Sequence, residues 1–373
     1  MGIISLFAAT RLVLIMAGMI AWNFQIPVAP TWRKTDHKTG IHYALAIDQP
    51  FLDMWTRWDS WEYDEIARVG YWYDYQHKPS PYGTVACFPL YPMLIRGVGF
   101  LLGGRTVIAG LLIANLAAVA GFILLFQWGL WWGDRRSAWL TVAAAISFPA
   151  GLFWSALYPQ ALFMALSVGA LAQMFDRRVA VACLLTALAT ATRLEAVALL
   201  PVLLLIRLSQ SGWRPRRADL WFLVAPLGLL GYMAYLYQRW GDPVLFLKVH
   251  TLFGRGLTNP LWTLVLPLTM EGGVSHMVVI GTYFVLGLVI LATCLRLPRP
   301  IVVYCWLLFL IPLASGIYVS IYRVHLVNFP IYLAIGGLGL SGRLRILGWG
   351  LVASFMALQC YMMYLWVTGY NMP

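Results

Sequence analysis

The chain alternates long apolar runs with short polar segments. Runs at Ile3–Trp22, Arg105–Trp132, Ser137–Trp154, Tyr158–Phe175, Val179–Ala191, Glu195–Leu208, Leu220–Arg239, Val274–Leu295, Ile301–Ser320, Leu326–Leu340 and Ile346–Val367 approach the ~20 residues that a helix needs to cross a bilayer. The fifth and sixth are short and read either as two spans or as one bent helix. Inside lipid only helices and closed barrels satisfy their own backbone. The pattern therefore predicts an all-α polytopic transmembrane helix bundle of roughly eleven spans.

Two longer segments break the rhythm, Phe24–Gly104 and Gly241–Gly273. In the first, Asp59-Ser60-Trp61-Glu62 has the form of a capping box. Tyr63, Ile66 and Ala67 follow at helical spacing, and Gly70 ends the run. This predicts a short amphipathic helix lying on the membrane surface. Phe88–Leu102 is also apolar but is interrupted by Pro89, Pro92 and Arg96. If it spanned, every basic loop downstream would change sides, so it is read as a second surface helix. Residues 1–373 then form one transmembrane domain, with 24–104 as its long first external loop and 241–273 as its second.

Composition supports this reading. Hydrophobic residues make up 61% of the chain and charged residues 11%, with a mean hydropathy of +0.76. Soluble domains are nearer half apolar and a quarter charged. The net charge of +12 does not point to nucleic acid, because the basic residues are scattered between apolar runs with no dense tract. Membrane lipids and an anionic substrate group suit that charge better. The segments Gly133–Arg136, Asp176–Arg178, Arg207–Arg217, Arg296–Arg299 and Arg343–Arg345 hold 12 of the 26 Lys and Arg residues. Placing them in the cytoplasm alternates correctly with the spans. It puts the N-terminus inside and both the long loop and the C-terminus outside. The first run lacks a basic leader and a small-residue cleavage site, so it reads as a retained signal anchor. No Asn-x-Ser/Thr sequon occurs, which favours a bacterial plasma membrane over the endoplasmic reticulum. The five cysteines suggest neither a disulfide nor a metal site.

The acids are concentrated. Eight of the 14 Asp and Glu residues lie in the first loop: Asp36, Asp48, Asp53, Asp59, Glu62, Asp64, Glu65 and Asp74. Only Glu195, Asp242 and Glu271 join them on the outer side, so acid–base chemistry on the exterior points first to this loop.

Arg57-Trp58-Asp59-Ser60, then Ile66-Ala67-x-x-Gly70-Tyr71, Phe88-Pro89-Leu90-Tyr91-Pro92, Ser155-Ala156-x-Tyr158 and Thr192-Arg193 together resemble the PIG-V mannosyltransferases. The resemblance covers most of the chain in order and spacing. It implies a GT-C fold, an inverting glycosyl transfer and a polyprenyl-phosphate sugar donor, with mannose as the first choice of sugar and a lipid or glycan hydroxyl as acceptor. The chain departs from that family at Pro159 and Gln160, where the family carries a threonine and an acid.

Such a transfer needs a carboxylate to take the acceptor's proton and cations to stabilise the leaving phosphate. Asp59 is the candidate base. The residues alone favour its simpler role as a helix N-cap, and the resemblance raises the catalytic one; Asp53 is the runner-up. Glu62, Asp64 and Glu65 are read as the solvated face of the surface helix. Arg323, Arg193 and Arg57 are candidate phosphate contacts, since a guanidinium fork matches phosphate oxygens. The competing role for Arg323 is an interfacial anchor, and Glu195 is a ready structural partner for Arg193. Lys248, His250, Tyr158 and Trp58 are candidate substrate contacts, with structural anchoring the simpler role for Lys248 and His250. His37 and His42 are not convincing ligands, and no metal or other cofactor is expected. The protein is expected to act as a monomer. Three alternatives stay open: a GT-C enzyme using another polyprenyl-phosphate sugar, a transporter or lipid flippase, and a non-catalytic scaffold.

Overall fold

The computed structural model describes residues 2–23, 49–74, 82–212, 214–250, 256–269, 273–295, 297–316 and 321–368. Asp36, His37, His42, Asp48 and Glu271 lie outside the described residues, as does the side chain of His250. The described chain is helical apart from one two-residue antiparallel ladder, Tyr73–Asp74 with Tyr82–Gly83.

In chain order the helices are α1 (Gly2–Asn23), α2 (Pro50–Asp53), α3 (Ser60–Arg68), α4 (Leu90–Leu101), α5 (Thr106–Trp132), α6 (Arg135–Ser147), α7 (Gln160–Phe175) and α8 (Val179–Thr190). There follow α9 (Leu199–Ser211), α10 (Leu227–Trp240), α11 (Leu245–His250), α12 (Pro260–Val265), α13 (Gly273–Cys294), α14 (Arg299–Ala314), α15 (Ile321–His325), α16 (Pro330–Leu338) and α17 (Leu344–Thr368). Among the described residues, five helical stretches are long and apolar enough to cross a membrane: Gly2–Asn23, Thr106–Trp132, Leu194–Ser211, Arg217–Trp240 and Leu344–Thr368. The chain is an integral membrane protein. The fifth and sixth apolar runs are two separate helices, parted by a turn and a 3-10 segment at Leu194–Ala198. α4 has 12 residues, about 18 Å at the helical rise, well short of a ~30 Å hydrocarbon core. Met93, Phe100 and Leu101 are exposed on it.

Two compact units form. The first comprises residues 1–70, 92–161 and 335–373; the second comprises 71–91 and 162–334. In the first, α5 packs on α6, α1 on α17 and α17 on α6. Where the sequence pattern runs on from Ser137 to Trp154, α6 stops at Ser147 and the chain turns through a 3-10 segment at Gly151–Trp154. The helix end and the turn present backbone carbonyls within the apolar bundle, and side chains of the unit satisfy them. Arg11, buried in α1, donates to Gly151 O at 2.8 Å and to Ile146 O at 3.4 Å. Gln359 in α17 donates to Ile146 O at 3.2 Å, and the Trp154 indole to Ala145 O at 2.8 Å. Ser155 Oγ donates to Asn115 Oδ1 in α5 at 2.8 Å. Only glycine fits at position 151, since a Cβ there would lie 2.7 Å from Ile146 O and closer still to the Gln359 amide.

In the second unit, Tyr232 Oη donates to Val85 O and Tyr71 Oη to Cys87 O, both at 2.7 Å. These bonds fix the Phe88-Pro89 motif against a core of Val85, Phe88, Tyr232, Leu236, Leu245, Phe246 and Val249.

An unsatisfied buried carbonyl costs about 1–3 kcal/mol. Arg11→Leu should therefore lower the thermal midpoint of the detergent-solubilised protein, and Arg11→Lys, which keeps a donor, should lower it less. An Arg11→Leu variant as stable as the wild type would show that these carbonyls find other donors.

Candidate active site

The segment Met54–Arg57 leads into α3 and is clamped from two sides within the first unit. The Trp366 indole donates to Met54 O at 2.9 Å. From the turn after α6, Leu157 N donates to Trp55 O at 2.9 Å and Tyr158 Oη to Arg57 O at 3.0 Å. Arg57 is 1% exposed, as is its partner Asp53, one helical turn earlier. The guanidinium donates to Asp53 Oδ2 through Nε and, in a shorter bond, through one terminal nitrogen. The other terminal nitrogen donates to the carbonyls of Trp366 at 2.9 Å and Val367 at 2.5 Å, in the last turn of α17. Arg57 thus fastens the start of α3 to the end of α17.

Immediately after this clamp the backbone turns left-handed. Trp58 has φ +55°, and among the described residues only Arg177 shares a positive φ without being glycine. Such a conformation costs roughly 1–3 kcal/mol and persists where neighbours over-determine it. The turn delivers Asp59, half-buried, to the N-cap position of α3. Glu62 N donates to the Asp59 backbone carbonyl at 3.1 Å, but no side-chain hydrogen bond from Asp59 caps the helix. The expected capping box is therefore absent. Asp59 has helical dihedrals, φ −57° and ψ −6°, whereas a side-chain cap needs an extended residue there.

α3 differs from expectation in one further way. Asp64 is 3% exposed and does not lie on a solvated face. Ser60, Asp64 and Ala67 fall at i, i+4 and i+7, on the buried side of the helix. Asp64 Oδ1 accepts from Thr106 Oγ1 at 2.5 Å, and its other oxygen lies 3.3 Å from Arg68. At the other end of the helix Arg96 of α4 donates to Ala67 O at 2.7 Å, so α4 and α5 both hold α3. Burial raises the Asp64 carboxyl above its ordinary value of 3.8, more than Thr106 and Arg68 lower it.

The remaining site candidates divide between the units. Tyr158 belongs to the first and is buried, its ring edge-on to Tyr63 and Trp366. With its hydroxyl donating to Arg57 O, it braces the clamp. Arg193, Lys248, His250 and Arg323 belong to the second unit. Arg193 pairs with Glu195 at 2.5 Å, both largely buried. Arg323 is half-buried in the short helix α15. Lys248 is 63% exposed and pairs with Asp242 at 2.5 Å; that hydrogen bond holds the Asp242 carboxyl below its ordinary value. Sequence reasoning missed the roles of Asp53, Arg11 and Gln359. Arg11 was detectable as a cation inside an apolar run, which needs a partner.

No protein-family model matches the chain, and no curated protein does either. Solved structures do. The crystal structure of ArnT from Cupriavidus metallidurans in the apo state aligns with a TM-score of 0.53 at 15% identity, covering 99% of this chain and 76% of that one. The structure of the same protein bound to undecaprenyl phosphate aligns with a TM-score of 0.51 at 14% identity and the same coverage. The chain has the GT-C polytopic helical fold. This agrees with the fold that the PIG-V-like motifs imply; a likeness of fold does not select the PIG-V group.

The Asp64 geometry sets a pH dependence. A carboxyl raised by folding binds its proton more tightly in the native state. Its contribution is fully present below about pH 3.8 and is lost as pH rises through the raised folded value. The thermal midpoint should fall across that window in the wild type and should fall less in Asp64→Asn, which can still accept from Thr106. Equal slopes for the two proteins would remove Asp64 as the cause.

Proposed function

We propose that this protein is an inverting GT-C glycosyltransferase. It moves a sugar, mannose being the first choice, from a polyprenyl-phosphate donor to a lipid or glycan hydroxyl on the external face of a bacterial plasma membrane. The observation that carries the reading is Asp59. It stands at the head of α3 on a backbone fixed by Arg57, Leu157 and Tyr158, behind the left-handed Trp58, and its carboxylate is not committed to capping the helix. A group held this way is suited to take the proton from an attacking hydroxyl, because the geometry is set before the substrate arrives. The fold shared with ArnT, one structure of which holds undecaprenyl phosphate, supports a polyprenyl-phosphate donor. The PIG-V-like motifs support mannose. Basic short loops at the opposite helix ends support an external site.

Arg323 is assigned to the donor phosphate. Arg193 is a second contact, one that must exchange Glu195 for the ligand. Arg57 is assigned to positioning, because its donors are engaged by Asp53 and α17. Lys248, His250 and Trp58 remain the substrate contacts, and Tyr158 acts through Arg57.

Asp59→Asn tests the base. Since the side chain does not cap α3, the substitution should leave the thermal midpoint nearly unchanged and reduce transfer by about 10²–10⁴-fold. Glu62→Gln should retain most activity. Asp53→Asn should fail differently, by leaving Arg57 buried without its counter-charge, a loss of roughly 3–5 kcal/mol in stability. Retention of most activity in Asp59→Asn would rule out Asp59 as the base. Arg323→Ala should raise the KM for the donor, and Arg323→Lys should recover only part, since the fork is lost. An unchanged donor KM in Arg323→Ala would place the phosphate elsewhere.

A further inference from the structure

The end of the first unit away from α3 carries a groove whose lining includes none of the residues assigned above to the transfer reaction. α5 begins at Thr106, which bonds Asp64 of α3, and runs 27 residues to Trp132, about 40 Å. Beside its far end, α1, α5 and α6 border an open groove of about 500 Å³, within the ~300–1,000 Å³ typical of small-molecule sites. Its walls are Ile4, Ile123, Phe126, Leu130 and Trp139, and one charged side chain, Arg135, lines it. Ile4, Ile123 and Leu130 are exposed, so the groove opens on the apolar surface of the bundle. Arg135 is exposed at the first position of α6, with Arg136 beside it. The neighbouring acid, Asp134, caps α6, its carboxylate accepting from Ser137 N at 2.8 Å. The groove is also a built feature. Gly2 lets α1 approach α6 there, where a Cβ would lie 2.7 Å from the Trp139 ring, and Phe126 braces that ring edge-on at 5.0 Å.

We infer that this groove binds one anionic phospholipid, with its phosphodiester on Arg135 and an acyl chain along Ile4, Ile123 and Leu130. The chemistry is complementary at both ends: an apolar slot open to lipid, and at the helix terminus a guanidinium fork that matches phosphate oxygens. A zwitterionic lipid gains less there, because its own ammonium offsets the phosphate.

The test uses the full chain, purified in detergent and stripped of lipid, titrated with phosphatidylglycerol or with phosphatidylcholine of the same acyl chains. Native mass spectrometry counts the bound lipid. The expected result is one tight phosphatidylglycerol, held about tenfold more strongly than phosphatidylcholine. Arg135→Ala should bring phosphatidylglycerol down to the phosphatidylcholine level. Ile4→Trp should remove the tight site by filling the slot. Arg343→Ala, at another exposed arginine, should change nothing, and glycerol phosphate without acyl chains should not bind. Both groove variants alter exposed residues, and their unchanged thermal midpoints would exclude misfolding as the cause. Equal binding of the two lipids, or undiminished phosphatidylglycerol binding by Arg135→Ala, overturns the inference. So does a delipidated dimer that Ile4→Trp dissolves, which would place a second copy of the chain on this face.

Discussion

A bilayer offers no water to a backbone carbonyl, so a helix that stops short inside the bundle must have its end satisfied by the protein itself. That constraint governs the first unit. α6 ends at Ser147, and the carbonyls of Ala145, Ile146 and Gly151 are met by Trp154, Arg11 and Gln359. Two helices, α1 and α17, thereby hold one turn in place. The turn then places Leu157 and Tyr158 where they bond the carbonyls of Trp55 and Arg57. A charge buried in α1 is costly in isolation, yet here it stabilises the break on which the site's geometry rests.

The same logic continues toward the surface. Arg57 ties the head of α3 to the last turn of α17, and Asp53 neutralises it. The clamp leaves Trp58 in a left-handed conformation and Asp59 at the start of the helix with its carboxylate uncommitted to the cap. Thr106 and Arg96 hold α3 from the other side. Rigid supports around a carboxylate with fixed backbone geometry are what proton abstraction from a positioned hydroxyl requires.

Much of this was legible in the sequence. The apolar runs located the long helices, because the length of an apolar run is read directly from residue order, but five of them reach membrane-crossing length among the described residues. α3 was legible from the helical spacing of Tyr63, Ile66 and Ala67 ahead of Gly70, and α4 from prolines within an apolar run. What misled was local. Asp59-Ser-Trp-Glu62 has the residues of a capping box, but a cap depends on the dihedral of its first residue, and the Arg57 clamp, formed with residues some 300 positions away in the chain, sets that dihedral. Asp64 has the charge of a solvated position, but its register on α3 turns it inward onto Thr106. Arg57 looked like a phosphate ligand because two of its partners, the carbonyls at the end of α17, carry no residue-type signal.

The most direct measurement is turnover itself in reconstituted liposomes supplied with a short-chain polyprenyl-phosphate sugar and an acceptor hydroxyl. Mass spectrometry would follow the released polyprenyl phosphate, and NMR the anomeric configuration of the product. The enzyme should release polyprenyl phosphate stoichiometrically and give a product whose anomeric configuration is opposite to that of the donor. Movement of intact donor across the bilayer with no sugar released, or a product of retained configuration, would contradict it.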